Sequence, residues 1–279
     1  MRSVSRRIAT GIVILAFALP VRAAAEPCLE MRPVPGDDVR AVKITTRIGE
    51  GPPAVLHMQT FGRRSSTSRR VLVRFSHPRE LRDSALLIVD EAGPPRLWLS
   101  SPELGGVREL SAEVNTRLLG TYFGWEDVVL AQGLIGWDNA KSLRRERLGE
   151  HDTLVVDLQP EPGTSHYARV RAWLDLESCI PLKLELFDTA THLRRIVENR
   201  PSSILLMGGR AIPHETAIRD LQAGTESRSV LLAIIPGLRI PDEILQAESL
   251  GQYRPRVVLD GDDGRPMVDV GRVAPEDSR

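Results

Sequence analysis

Proton transfer needs an acid and a base that meet, and a carboxylate pair, Glu126 and Asp127, stands in the stretch TRLLGTYFGWEDVVLAQGL, residues 116–134. Tyr122, Phe123 and Trp125 fall within four positions beside it, although the chain is only 4% aromatic. Adjacent side chains at the start of a helix point in different directions, so the pair does not converge on one proton. The positive pole of a helix explains both acids together. His57, His77, His151, His166, His192 and His214 are scattered and read as surface or strand-end residues. HETAI at His214 lacks the second histidine of a zinc-protease helix. A G-x-S-x-G nucleophile elbow and a glycine-rich phosphate loop are both missing from the sequence. No enzyme, catalytic residue, cofactor or metal is therefore expected. Trp98, Trp137 and Trp173 read as packing residues, and Arg63, Arg64, Arg69 and Arg70 as the solvated tip of a hairpin.

The elements that position these residues are mostly strands. Short runs such as VKITTRI (Val42–Ile48), SRRVLVRF (Ser68–Phe75) and SALLIVD (Ser84–Asp90) are separated by Gly and Pro, the signature of an antiparallel meander. Val71, Val73 and Phe75 share one face of their strand, and SALLIVD is apolar enough for burial on both faces. Trp125, Val128, Val129 and Ile135 recur at helical spacing, which predicts a helix of about ten residues ending near Gly133 and Gly136. Strands resume from Lys141 to Ile235, and Pro241–Leu250 reads as a second short helix with proline in its first turn. About ten strands with one or two helices make a sheet that must curl, split or close. The expected class is mainly β (α+β): a large curled antiparallel sheet, or incomplete β-barrel, covered by one or two short helices.

Arg2, Arg6 and Arg7 followed by the apolar run Ile8–Leu19 and by Ala23-Ala24-Ala25 read as a signal peptide, residues 1–25, too short to anchor in a bilayer. Ser5–Arg7 keeps twin-arginine export open beside the ordinary secretory route, and lipidation at Cys28 is disfavoured by Pro27 and Ala25. Cleavage near Ala25 removes four arginines and no acids, so net charge moves from +0 to −4, 33 basic residues against 37 acidic. Such a chain lacks the clustered positive footprint that nucleic acid requires. Cys28 and Cys179, exported to an oxidising compartment, are either a disulfide or two separate thiols. Residues 26–250 are expected as one domain and 251–279 as a loosely held polar tail.

The phrase LLGTYFGWEDV (Leu118–Val128), preceded by LWLSSPELGGVRELS (Leu97–Ser111), resembles the LolA-like outer-membrane lipoprotein-sorting family. Gly120, Phe123, Glu126 and Asp127 match its phrase, and Trp125 takes the aromatic place; Leu119, Tyr122 and Gly124 depart from it. RVRAWLDLESCIPLKLELFD resembles the family's later strand pair, and IPHETAIRDLQAGTESRSVLLAI its closing hairpin; the likeness spans roughly residues 65–250. The resemblance implies a non-catalytic, periplasmic half-barrel with an apolar cavity for lipoprotein acyl chains or another lipid. Burying roughly a dozen methylenes would gain on the order of 10 kcal/mol before ordering costs. Val73, Phe75, Leu87, Phe123, Trp125, Val128 and Leu184 are the expected cavity residues, with Trp125–Ile135 as a lid. The implied partners are lipid or lipoprotein acyl chains and an inner-membrane exporter, with transient membrane contact by a monomer. A non-catalytic interaction module, a stress sensor or an exporter's soluble partner, is the alternative.

Overall fold

The computed structural model describes residues 27–30, 35–91, 93–111, 124–131, 140–160, 165–207, 210–258 and 266–272. The expected signal peptide, and Tyr122 and Phe123, lie outside them. A single turn, α1 (Pro27–Glu30), precedes β1 (Gly36–Ile48), β2 (Ala54–Arg64), β3 (Arg69–His77), β4 (Ala85–Asp90), β5 (Arg96–Ser101) and β6 (Gly106–Leu110). Helix α2 (Trp125–Ala131) follows, then β7 (Lys141–Leu148), β8 (His151–Leu158), β9 (Arg169–Asp175), β10 (Pro181–Phe187) and β11 (Leu193–Asn199). A small hairpin, β12 (Ile204–Met207) and β13 (Arg210–Pro213), leads to β14 (Glu215–Asp220), β15 (Thr225–Pro236), β16 (Tyr253–Val258) and β17 (Met267–Arg272).

Thirteen strands form one curled antiparallel sheet in the order β6-β5-β4-β3-β2-β1-β15-β14-β11-β10-β9-β8-β7. The chain walks outward from β1 to one edge at β6, crosses to the other edge at β7, and returns inward to β15. There β15 pairs with β1 from Asp38↔Pro236 to Ile48↔Thr225, with a register shift at Ala41/Val42 that adds twist. The edges β6 and β7 do not pair, so the sheet curls without closing. Tight turns need glycine where φ is positive: Gly149 (φ 64°) joins β7 to β8, and Gly224 (φ 63°) joins β14 to β15.

Strand alternation gives the sheet two faces. On the inner face Val71, Val73, Phe75, Leu86 and Ile88 pack with Trp125 and Val128 of α2. That layer continues on the far half through Leu154, Val156, Val170, Leu184 and Val197, next to Cys28. On the outer face Phe61, Leu72 and Leu87 are covered by Leu238, Ile240, Ile244, Leu245 and Val268 from the C-terminal segment. Strand β4 is thus buried on both sides, as its unbroken apolar run requires.

Four sequence expectations change. The helix expected over Pro241–Leu250 is a pair of 3₁₀ turns, Asp242–Leu245 and Ala247–Ser249, with Gln246 extended between them. Spreading Ile244, Leu245 and Leu250 along the outer face buries all three, so packing overrides helical propensity. The segment after Gly251, expected as a loose tail, forms the β16–β17 hairpin and inserts the fully buried Val268. The arginines expected at a solvated tip are not all solvated: Arg69 has a fully buried side chain paired with Asp90, and Arg64 pairs with the buried Asp38. The register brings these arginines to carboxylates on neighbouring strands: Arg69 stands opposite Asp90, and Arg64 lies two positions from Gly62, the partner of Asp38. Leu87 packs on the outer face, away from any inner cavity, because the register sets Val73 opposite Leu86 and Leu72 opposite Leu87.

Candidate functional site

Helix α2 lies over the inner face and is held there at its first turn. Trp125 and Val128 enter the inner core, the indole ring centroid 6.1 Å from that of His166. The Asp127 carboxylate accepts the Gly124 N–H at 2.8 Å, the reach-back half of a capping box. Its other oxygen accepts from Arg195 Nη1, whose Nη2 donates to Asp220 at 2.9 Å. Arg195 and Asp220 are register partners on β11 and β14, so the sheet presents the guanidinium to the helix. Glu126 turns elsewhere: it accepts the Ser165 hydroxyl at 2.7 Å and the His166 N–H at 3.0 Å, with His166 Nδ1 3.2 Å away. Both acids are buried, each 5% exposed, and therefore tie the helix down as well as complementing its dipole.

Burial pushes the Asp127 carboxyl above the usual range, opposed by Arg195 and the Gly124 N–H. Burial also works against the Arg195 charge, but Asp127, and then Asp220, hold that guanidinium above its ordinary value. Burial would raise Asp220; the Ala223 N–H and Arg195 outweigh it and leave this carboxyl below the usual range. Arg195 is thus the fixed cation of a bridge from α2 to the sheet.

Beneath α2 is a cavity of about 260 Å³ walled by β1, β2, β10, β11, β14, β15 and the β13 strand. Its apolar lining includes Met58, Val128, Leu184, Val197, Ile218 and Leu231. Part of its polar lining is engaged with itself: Thr216 donates to Asn199 Oδ1 at 2.6 Å, and Asn199 donates to the Pro181 carbonyl at 2.7 Å. At one end Arg40 grips Asp38 with two hydrogen bonds of 3.1 Å, and Arg64 reaches the same carboxylate. Among the described residues no group of three or more His, Cys, Asp or Glu is placed to hold a metal ion. Glu126 and Asp127 spend their oxygens on structural partners.

Of the residues proposed from sequence, Val128 and Leu184 line this cavity. Val73, Phe75 and Trp125 are buried in the adjoining inner core, Leu87 lies on the outer face, and Phe123 is outside the described residues. Cys28 and Cys179 form a disulfide, Cα–Cα 5.2 Å, which fastens the N-terminal turn beside the start of β10. Sequence reasoning missed Asp38, Arg40 and Arg195. A charged residue carries no local mark of burial, and only a complementary charge at a neighbouring strand position could have signalled it.

A family model described as "Uncharacterized protein" matches residues 67–252. No curated protein matches the chain. Among solved structures, a domain assigned to outer membrane lipoprotein sorting from Vibrio parahaemolyticus superposes with TM-score 0.70 at 18% identity, covering 77% of this chain and 92% of that one. A DUF1329 family protein from Desulfovibrio piger gives 0.69 at 14% identity, covering 81% and 94%. A LolA superfamily protein from Nitrosomonas europaea gives 0.64 at 20% identity, covering 81% and 96%. The chain therefore belongs to the family whose model spans residues 67–252, and its fold is that of the LolA-like lipoprotein-sorting proteins.

Proposed function

We propose that the protein is a periplasmic carrier or binding protein for the acyl chains of lipoproteins or another lipid, with α2 as a lid over the inner cavity. The observation that carries this reading is the apolar cavity between the inner sheet face and α2, lined by Val128, Leu184, Val197 and Ile218. Its volume, about 260 Å³, lies just under the roughly 300–1,000 Å³ usual for ligand pockets. The closed form then holds part of a chain, and displacement of α2 makes room for more. Lifting α2 exposes Trp125 and Val128, at about 1.5–3 kcal/mol each. Burying some six methylenes returns about 5 kcal/mol, which offsets exposure of those two side chains. Release of the Asp127–Arg195 pair is a further cost that favours the form with α2 in place.

The test is mass spectrometry of the exported protein under native conditions, followed by extraction. Co-purifying species bearing acyl chains are expected at near-stoichiometric amounts. Folded protein that carries no acyl species, and takes none up from added lipid, would sink the carrier reading.

A further inference from the structure

A strand half in solvent alternates apolar and polar residues, but β12 reads Ile204-Leu205-Leu206-Met207, apolar throughout. Burial on both faces would explain it, yet β12 pairs only with β13 in a two-stranded sheet. One face is used: Ile212 lines the cavity and is buried. The other is not: Leu206 is 81% exposed, the most exposed large apolar side chain among the described residues. Leu205, opposite Ile212 on the used face, still leaves 38% of its surface exposed.

The base of the hairpin is basic. Arg200 and Arg228, both exposed, share the Glu215 carboxylate. Two arginines against one carboxylate leave a net positive charge there, which suits an anionic surface that attracts each basic residue within a Debye length. An apolar projection on a basic base is what the interface of an anionic bilayer accepts: leucines enter among the acyl chains while guanidiniums stay with the headgroups.

We propose that the β12–β13 hairpin docks the protein on an anionic lipid bilayer, with Leu205 and Leu206 entering the interface. Because β13 is also a wall of the cavity, docking brings the cavity to the membrane surface. The use of that contact for cargo exchange rests on the carrier reading; the contact itself does not.

Flotation of the whole exported protein with vesicles of phosphatidylethanolamine and phosphatidylglycerol tests it, with phosphatidylcholine vesicles for comparison. The protein is expected to float with the anionic vesicles and less with the neutral ones. Leu206→Asp should lower the partition coefficient roughly tenfold or more, from the transfer free energy of one leucine. Val107→Asp, an exposed apolar position on the distant edge strand β6, should leave it unchanged. Wild-type protein that stays at the bottom of the gradient, or Leu206→Asp floating like wild type, overturns the proposal; the first result would point to a protein partner for the hairpin. Binding of a hydrophobic fluorophore by Leu206→Asp should match wild type. Vesicle binding without any fluorophore binding would leave the docking surface standing and remove the carrier reading alone.

Discussion

Replacing Arg195 by methionine would strip the α2 bridge of its cation while keeping the length of the side chain. Asp127 would then sit with a carboxylate only 2% exposed, holding the Gly124 N–H but no counter-charge. Removing one partner of a buried ion pair costs about 3–5 kcal/mol, because the remaining charge is left uncompensated. For a domain of this size that corresponds to a fall in Tm of roughly 6–20 °C. Adding Asp127→Leu to the variant removes the stranded charge, so the double variant should recover much of the loss, since apolar replacement of a whole buried pair is often neutral. Urea denaturation of wild type, both single variants and the double variant completes the cycle, with m-values checked for constancy. A midpoint for Arg195→Met that corresponds to less than about 0.5 kcal/mol, the scale of ordinary surface substitutions, would refute the claim that this bridge holds α2 on the sheet.

Other consequences follow from the same geometry. Asp157, Asp175 and Asp220 have carboxyls held below the usual range: burial opposes this in each, and arginine or N–H and hydroxyl donors outweigh it. Their contribution is present above the unfolded value of about 4 and is lost as pH falls through the depressed values. Asp127, raised by burial, works in the opposite sense. The urea midpoint should therefore drop on acidification from neutral pH towards pH 3, and a rise would contradict the assignment. Reducing the Cys28–Cys179 disulfide, or changing both cysteines to serine, opens a crosslink spanning 151 residues and should cost about 2–5 kcal/mol. Equal urea midpoints in oxidised and reduced protein would count against it. Gly149→Ala places a Cβ at φ 64° and should destabilise by about 1 kcal/mol, read in the same assay.

Much of this fold was legible because its signals are local. Alternation in Val71, Val73 and Phe75, the both-faces run of β4, and glycine at the turns identify strands and an antiparallel meander. The spacing Trp125–Val128 identifies the helix, and the phrase around Glu126–Asp127 points to the fold family. What was not legible depends on register. Whether Leu86 or Leu87 faces the helix turns on which residue of β3 stands opposite, and an all-apolar strand carries no mark of its inner side. Asp38 and Arg40 lie ahead of the first strand read from sequence, Val42–Ile48, and their burial depends on pairing of Asp38 with Arg40 and with Arg64 from the next strand. The C-terminal strap escaped notice for a similar reason: Leu238, Ile240 and Val268 are too sparse to show periodicity, and only the outer face of β2–β4 explains them.

The central claim is that the space under α2 receives an acyl chain. Leu184 lines that space and is nearly buried, so Leu184→Trp adds bulk where there is room for it, at a cost of about 1–3 kcal/mol. Titration of a hydrophobic fluorophore, followed by displacement with dodecanoate, measures access directly in wild type and in this variant. The account predicts saturable binding and full displacement in wild type, and affinity at least tenfold weaker in folded Leu184→Trp. Equal affinity in the two proteins, or wild-type binding that acyl chains do not displace, would contradict it.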